Sequence, residues 1–323
     1  MRLDRSIMKL PLAFDAERLA AEVRALPPGA WERHPMGFPG NDAVALVSPG
    51  GQINDHFRGE MAPTEYLLQC RYIQEVMAAI GGVWGRSRLM GLAAGAEVPP
   101  HVDIHYYWRT HLRIHIPVIT NPEVIFTCGE TSVHMEPGEA WIFDSFEEHV
   151  VRNGGEDHRV HLVLDTVGGG RVWDLVEAAN AGDQDWGTVV PGATPDDQLA
   201  FEKLNVPEVM SPWEMRCHGA FLLSQSMAHP KLEAVAELLD HLSDDWAAAW
   251  VQFGQDDQGL PTYRRLLMRT RQEMQQAGAG DVLLKNNHPL YVGIERLILR
   301  HALAPDGSNP QQAAGEPRAR LAS

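Results

Sequence analysis

Between Arg86 and about Asp165 the chain breaks into short β-type runs at close spacing, and no other feature limits the fold as much. The runs cover residues 89–92, 112–118, 124–128, 132–135, 140–143, 149–152 and 160–164. Turn signals separate them, among them Asn121-Pro122, Pro137-Gly138 and Asn153-Gly154-Gly155. Runs this short cannot be helices with a periodic apolar stripe. Many short strands with Gly and Pro punctuation predict a mainly β sandwich or jelly roll.

The flanks read differently. Residues 8–14 are apolar, Asp15 is placed to cap a helix, and Leu19, Val23 and Leu26 follow at helical spacing up to Pro27-Pro28. A short strand is expected over 44–47 and a helix over 63–80, with Gly81-Gly82 just past its end. Residues 171–205 are mixed, with a short helix expected over 195–203. Beyond Pro230, Leu232, Val235, Leu239 and Leu242 share one helical face that Trp246 and Trp250 continue, and residues 263–276 and 289–301 also read as helical. These patterns predict a jelly-roll domain with an N-terminal helical layer over 1–170, a connecting segment over 171–205 and a C-terminal α-helical domain over 206–304. The Gly-, Pro- and Ala-rich residues 305–323 are expected to be disordered.

Charge and cysteine usage narrow the partners. Lys plus Arg number 27 against 43 Asp plus Glu, a net charge of −16, which repels phosphate backbones and anionic lipid. No nucleic-acid and no membrane partner is expected, and a homo-oligomer is compatible with the sequence; the charge does not identify a substrate, and the small-molecule substrate expected here rests on the motifs below. Cys70, Cys128 and Cys217 are scattered and odd in number, so neither a disulfide framework nor a zinc ribbon is indicated. With no secretory h-region and no long apolar run, a cytoplasmic location is expected.

The chemistry is concentrated in Pro99-Pro100-His101-Val102-Asp103. In an extended chain residues i and i+2 point to the same side, so His101 and Asp103 can offer an imidazole and a carboxylate to one ion. His149, at the end of Phe143-Asp144-Ser145-Phe146-Glu147-Glu148-His149, is the candidate third ligand. Two histidines and one carboxylate form the facial triad of non-haem Fe(II) oxygenases. A cosubstrate such as 2-oxoglutarate would need a cation for its distal carboxylate, and a guanidinium gives the planar fork that Lys lacks. Arg159, ten positions after His149, is placed for this. A hairpin at Asn153-Gly154-Gly155 is expected to bring its strand back beside that of His149. The plainer reading of Arg159 is a solvated ion pair with Glu156 or Asp157.

Taken together, His101-x-Asp103, Arg113-Ile114-His115-Ile116-Pro117, Gly138-Glu139-Ala140-Trp141, Phe143-Asp144-Ser145-Phe146-x-x-His149 and the run from Arg159 to Asp165 resemble the aspartyl/asparaginyl β-hydroxylase family. The resemblance spans roughly residues 86–165. It implies a double-stranded β-helix, with Fe(II), 2-oxoglutarate and O2 as the reacting set. It also implies iron at His101 and His149, the distal carboxylate at Arg159 and the C1 carboxylate near His115. Animal peptidyl members lack the triad carboxylate, whereas Asp103 is present here. In this the chain is similar to the bacterial proline cis-hydroxylase-like branch, which acts on a free amino acid and carries a C-terminal helical domain. The carboxylate also argues against a halogenase, which needs that position vacant.

Other residues have weaker claims. Arg113 shares a strand face with His115 and could bind a substrate carboxylate or brace the cosubstrate. Tyr107 and Trp108 follow the metal motif and could line a substrate pocket or simply pack. His105, His111, His134, His158 and His161 complete no second metal pattern and read as structural or solvated. Three functions compete: a hydroxylase of a free amino acid, a peptidyl side-chain hydroxylase, and a non-catalytic metal-binding jelly roll. A zinc hydrolase would leave Arg159 unexplained.

Overall fold

The computed structural model describes residues 3–34, 37–182 and 199–304 and divides the chain into two compact units. One comprises residues up to Val102 and from Thr110 to Asn205; the other joins residues 103–109 to the stretch from Val206 onward.

The first unit holds the strands. In chain order they are β1 (Ile7–Ala13), β2 (Glu32–Arg33), β3 (Asn41–Pro49), β4 (Met61–Pro63), β5 (Val83–Trp84), β6 (Ser87–Leu92) and β7 (Glu97–His101). Then follow β8 (Leu112–Ile119), β9 (Val124–Cys128), β10 (Thr131–Val133), β11 (Glu139–Phe143), β12 (His149–Asn153), β13 (Arg159–Thr166) and β14 (Ala200–Phe201). The larger sheet runs β1-β11-β8-β13-β6-β3-β2 and the smaller β10-β9-β12-β7. From β6 to β13 the chain passes repeatedly from one sheet to the other, which is the winding of a double-stranded β-helix. The expected jelly roll is therefore present, and all seven runs read from the sequence are strands.

The faces follow from side-chain alternation. On the inner side Ile7, Leu92, Phe143 and Met135 pack with Val124, Phe126, Cys128 and Val151 of the smaller sheet. Ile114, Ile116, Ala140, Ile142, Leu162 and Leu164 occupy the alternate positions and are fully buried. The helix α1 (Ala16–Ala25) lies on β8 and against α3 (Arg71–Ile80). Asp15 caps α1 by accepting the Arg18 N–H at 3.1 Å. The helix expected over 63–80 is two: α2 (Glu65–Gln69), capped by Thr64, and α3, with a break at Cys70. Gly81 closes α3 at φ 71°, a left-handed conformation that glycine adopts at no steric cost. Gly138, at φ 81°, has the same freedom for a different reason: a Cβ there would lie 2.3 Å from the Phe14 carbonyl oxygen.

Three expectations are corrected. Residues 153–155 do not form a hairpin. β12 belongs to the smaller sheet and β13 to the larger, so the turn is a corner between sheets. The cause is Asn153, whose buried Nδ2 donates to Leu92 O at 3.0 Å, Ala93 O at 3.1 Å and Asp157 O at 2.8 Å. The Gly155 N–H donates back to Asn153 Oδ1 at 3.2 Å. Within 195–203, residues 195–198 lie outside the described residues, and residues 200–201 are strand rather than helix. They pair in parallel with β5, held by Glu202, whose N–H donates to Trp84 O and whose carbonyl accepts from the Met61 N–H. The stretch read as mixed begins with a helix, α5 (Gly170–Ala181), with Val172, Leu175, Val176 and Ala179 buried at helical spacing. The tail expected to be disordered lies outside the described residues.

The second unit is helical: α6 (Pro212–Gln225), α7 (Leu232–Phe253), α8 (Leu260–Gln276) and α9 (Leu290–Ile294), which runs on as a π-helical turn over Glu295–Leu299. Val235, Leu239, Leu242 and Trp246 of α7 are buried as their spacing predicts, with Trp246 Nε1 donating to Met210 O at 2.7 Å. The sequence pattern missed α6 because its buried face includes His218, Gly219 and Gln225. Residues 103–109 lead into α4 (Tyr106–Thr110). The Tyr106 hydroxyl donates to Glu214, and Arg109 lies over the Phe221 ring at 4.0 Å. Among the described residues, no helix is long and apolar enough to cross a membrane.

Asn153→Ala removes the polar core of the sheet-to-sheet corner and leaves buried carbonyls unpaired. We expect a loss of roughly 2–3 kcal/mol in urea unfolding, against little change for Arg152→Ala on the outer face of the same strand.

Candidate metal and cosubstrate site

β7 ends on His101 and β12 begins on His149, and the two residues are direct antiparallel partners. Their ring centroids are 4.2 Å apart. Each imidazole is oriented by its own strand entry. Nδ1–H of His101 donates to Pro99 O at 2.8 Å, and Nδ1–H of His149 to Glu147 O at 3.0 Å. A donor at Nδ1 places the ligating lone pair on Nε2, the arrangement in which metal-binding histidines are held. Asp103, two residues along the chain from His101, adds a carboxylate oxygen. One ligand atom from each of the three lies within 4.8 Å of the others, and no other such trio occurs among the described residues. Two imidazoles and one carboxylate suit Fe(II) and leave coordination positions open.

The larger sheet supplies the facing wall. Register pairs Arg159 with Leu92, His161 with Met90 and Pro117, Val163 with Arg88 and His115, and Asp165 with Arg113. Residues paired across strands share a face, so Arg88, Arg113, His115, Arg159, His161 and Asp165 all project to one side. Phe143 identifies that side, because its ring lies 5.0 Å from both His115 and His149. The polar face of the larger sheet is thus turned inward, toward the metal ligands.

Arg159 is only 4 % exposed, its Nε has no hydrogen-bond partner, and among the described residues it makes no ion pair with Glu156, Asp157 or any other acid. Burial alone lowers its pKa to about 9, so the guanidinium is charged at neutral pH. Neither ring nitrogen of His115 has a partner. Burial first, then the charges of Arg159 and Arg113, hold His115 well below the usual imidazole range. Each unpaired buried polar group costs about 1–3 kcal/mol, so the arrangement calls for a ligand bearing anionic oxygens. A 2-oxo dicarboxylate fits the donors present.

Arg113 is tied by Nε to Asp165 at 3.0 Å, and Arg88 is paired with Asp55. Tyr107 is buried in the second unit, 1 % exposed, with the environment of a packing residue, while Trp108 is half-buried beside it. Of the other histidines, His111 pairs with Glu202, His134 bonds Val124 O at 2.9 Å, His158 lies 3.1 Å from Asp42 and His105 packs on His301. Sequence pattern alone does not single out Phe126, Phe143, Arg88 or Asp165, which also stand on the inner walls. The available signal for Asp165 was its alternation with Arg159 along a strand buried at every position.

Alanine at His101, Asp103 or His149 should each weaken Co(II) or Mn(II) binding roughly 100-fold in anaerobic titration calorimetry, with the urea midpoint held within experimental error.

Residues 45–168 match the family model described as aspartyl/asparaginyl beta-hydroxylase. No curated protein sequence matches the chain. Among solved structures, a 2OG-Fe(II) oxygenase family oxidoreductase from Burkholderia pseudomallei is 13 % identical with a TM-score of 0.39, covering 50 % of this chain and 86 % of its own. A Pseudomonas putida prolyl-4-hydroxylase is 13 % identical with a TM-score of 0.35, covering 50 % and 93 %. A cupin domain from Bordetella pertussis is 19 % identical with a TM-score of 0.21, covering 25 % and 79 %. The family match coincides with the stretch that carries the His–Asp–His motif, so over residues 45–168 the chain is similar to that family.

Proposed function

We propose that the protein hydroxylates a small molecule that carries its own carboxylate and amino group, a free amino acid or derivative of the proline type. In this reading His101, Asp103 and His149 hold the iron, and Arg159 and His115 hold the two carboxylate ends of 2-oxoglutarate. When bound, the iron and its cosubstrate supply the oxidising chemistry by which O2 turns C–H into C–OH. The protein's own contribution is orientation and dryness. The Arg159 fork presents parallel N–H donors to a carboxylate, and neutral His115 offers one further N–H. Phe126 and Phe143, ring to ring at 4.8 Å, exclude water beside His115 and His149.

The observation that carries the choice of substrate is the Arg113–Asp165 pair on the same inner face, half-buried on the arginine side and buried on the acid. A guanidinium beside a carboxylate matches the two charged ends of a free amino acid. A residue inside a peptide offers neither end. The Arg88–Asp55 pair repeats this chemistry one strand away.

Under anaerobic conditions Fe(II) and 2-oxoglutarate should give the visible charge-transfer band of the chelate, lost in His101→Ala and, at modest cosubstrate, in Arg159→Ala. Succinate release should then be stimulated by free amino acids and not by peptides containing the same residue. Stimulation by peptides alone would favour the peptidyl side-chain hydroxylase. A wild type that binds metal but neither gives the band nor releases succinate would favour the non-catalytic jelly roll.

Arg113→Gln should raise KM for the amino acid at least about 10-fold, the scale of one charge-assisted hydrogen bond, and leave the half-saturating 2-oxoglutarate concentration within about 2-fold. A rise confined to 2-oxoglutarate would instead place Arg113 at the cosubstrate.

A further inference from the structure

By sequence His161 is expected to be structural or solvated, and its surroundings match neither description. It is 1 % exposed, so bulk solvent does not reach it. Neither ring nitrogen has a hydrogen-bond partner. A buried imidazole left in this state forfeits both its donor and its acceptor, and such groups in a native interior call for a missing partner.

The position of His161 indicates what that partner is. It lies two residues beyond Arg159 on β13, so both side chains leave the same face of the strand. Its ring meets that of His115 edge-on, with centroids 6.0 Å apart and planes at 87°. Arg159, His115 and His161 therefore form a contiguous buried group, and among the described residues no acidic side chain is hydrogen-bonded to any member. Burial first, then the Arg159 charge, keep His161 neutral, with one N–H to give. A single carboxylate has about four lone-pair sites, and a guanidinium fork fills only two of them.

Building on the cosubstrate reading above, we propose that His161 is a positioning residue that donates a hydrogen bond to the distal carboxylate of 2-oxoglutarate, completing with Arg159 a two-residue clasp. The clasp makes the chain selective for a 2-oxo acid with a second carboxylate over one of the same length that ends in a methyl group. Packing alone would place no such premium on the distal group, since an apolar residue of similar shape would fill the space as well.

The test compares 2-oxoglutarate with 2-oxopentanoate, which has the same chelating end and a methyl group in place of the distal carboxylate. Dissociation constants are read from the charge-transfer band of the anaerobic Fe(II)-loaded full chain, independent of turnover. We expect His161→Leu to weaken 2-oxoglutarate about 10-fold and to leave 2-oxopentanoate within about 2-fold, with His161→Gln, which keeps an N–H, recovering part of the loss. Equal weakening of both acids, or of neither, would overturn the proposal. If His161→Leu does not fold, the ring-nitrogen resonances of 15N-histidine-labelled wild type loaded with Zn(II) decide the matter. The His161 signal should shift with 2-oxoglutarate and not with 2-oxopentanoate, and an unmoved signal refutes the clasp. A wild type that gives no band with 2-oxoglutarate fails the cosubstrate reading itself, an outcome distinct from loss of the His161 effect alone.

Discussion

A strand buried on both faces ordinarily carries apolar side chains on both, and β13 does not. All eight of its residues are buried, yet every second one from Arg159 to Asp165 apart from Val163 is polar or charged. Its outer face, Val160, Leu162 and Leu164, belongs to the apolar layer under the helices. Its inner face closes the space in front of the metal ligands with a guanidinium, an imidazole and a carboxylate. Sequestered polar groups weaken a fold unless something meets them, so this interior is stable only in proportion to what it binds or pairs. The Arg113–Asp165 and Arg88–Asp55 pairs meet part of that demand internally, and Arg159, His115 and His161 leave the rest to a ligand.

The second constraint is the corner at Asn153. Had residues 153–155 formed a hairpin, β13 would have continued the smaller sheet and Arg159 would have stood in the same layer as His149. Asn153 instead ties the end of β12 to the carbonyls of Leu92 and Ala93, where β6 ends in the opposite sheet. The chain then crosses over, and Arg159 faces the metal ligands from the other wall. A cosubstrate that chelates at one end and is gripped at the other needs this separation, because its two ends lie several bonds apart. Phe126 and Phe143 fill the gap between the walls and keep it apolar.

Local order at the metal ligands is set by equally simple means. His101 and His149 each give Nδ1–H to a carbonyl two residues back along the chain, so their tautomer and ring direction are settled before any ion arrives. Strand pairing then brings the rings together. This pre-organisation reduces the entropy lost on binding and leaves the metal to supply charge rather than structure.

Much of this was legible in the chain before folding. The i, i+2 spacing of His101 and Asp103, the strand-borne His149 and Arg159, and the punctuated β runs identify the chemistry and the jelly roll, because each depends on local geometry that alternation along a strand already determines. The helix α5 was not read from the sequence, although Val172, Leu175, Val176 and Ala179 stand at helical spacing, because the surrounding composition is mixed. What the sequence could not decide was which sheet each strand joins, since Asn-Gly-Gly reads the same in a hairpin and in a corner. Nor could it tell which face of β13 points inward, or that His161 would be left without a partner. Those outcomes depend on contacts between residues distant along the chain, such as Asn153 with Leu92, and only the folded chain brings them together.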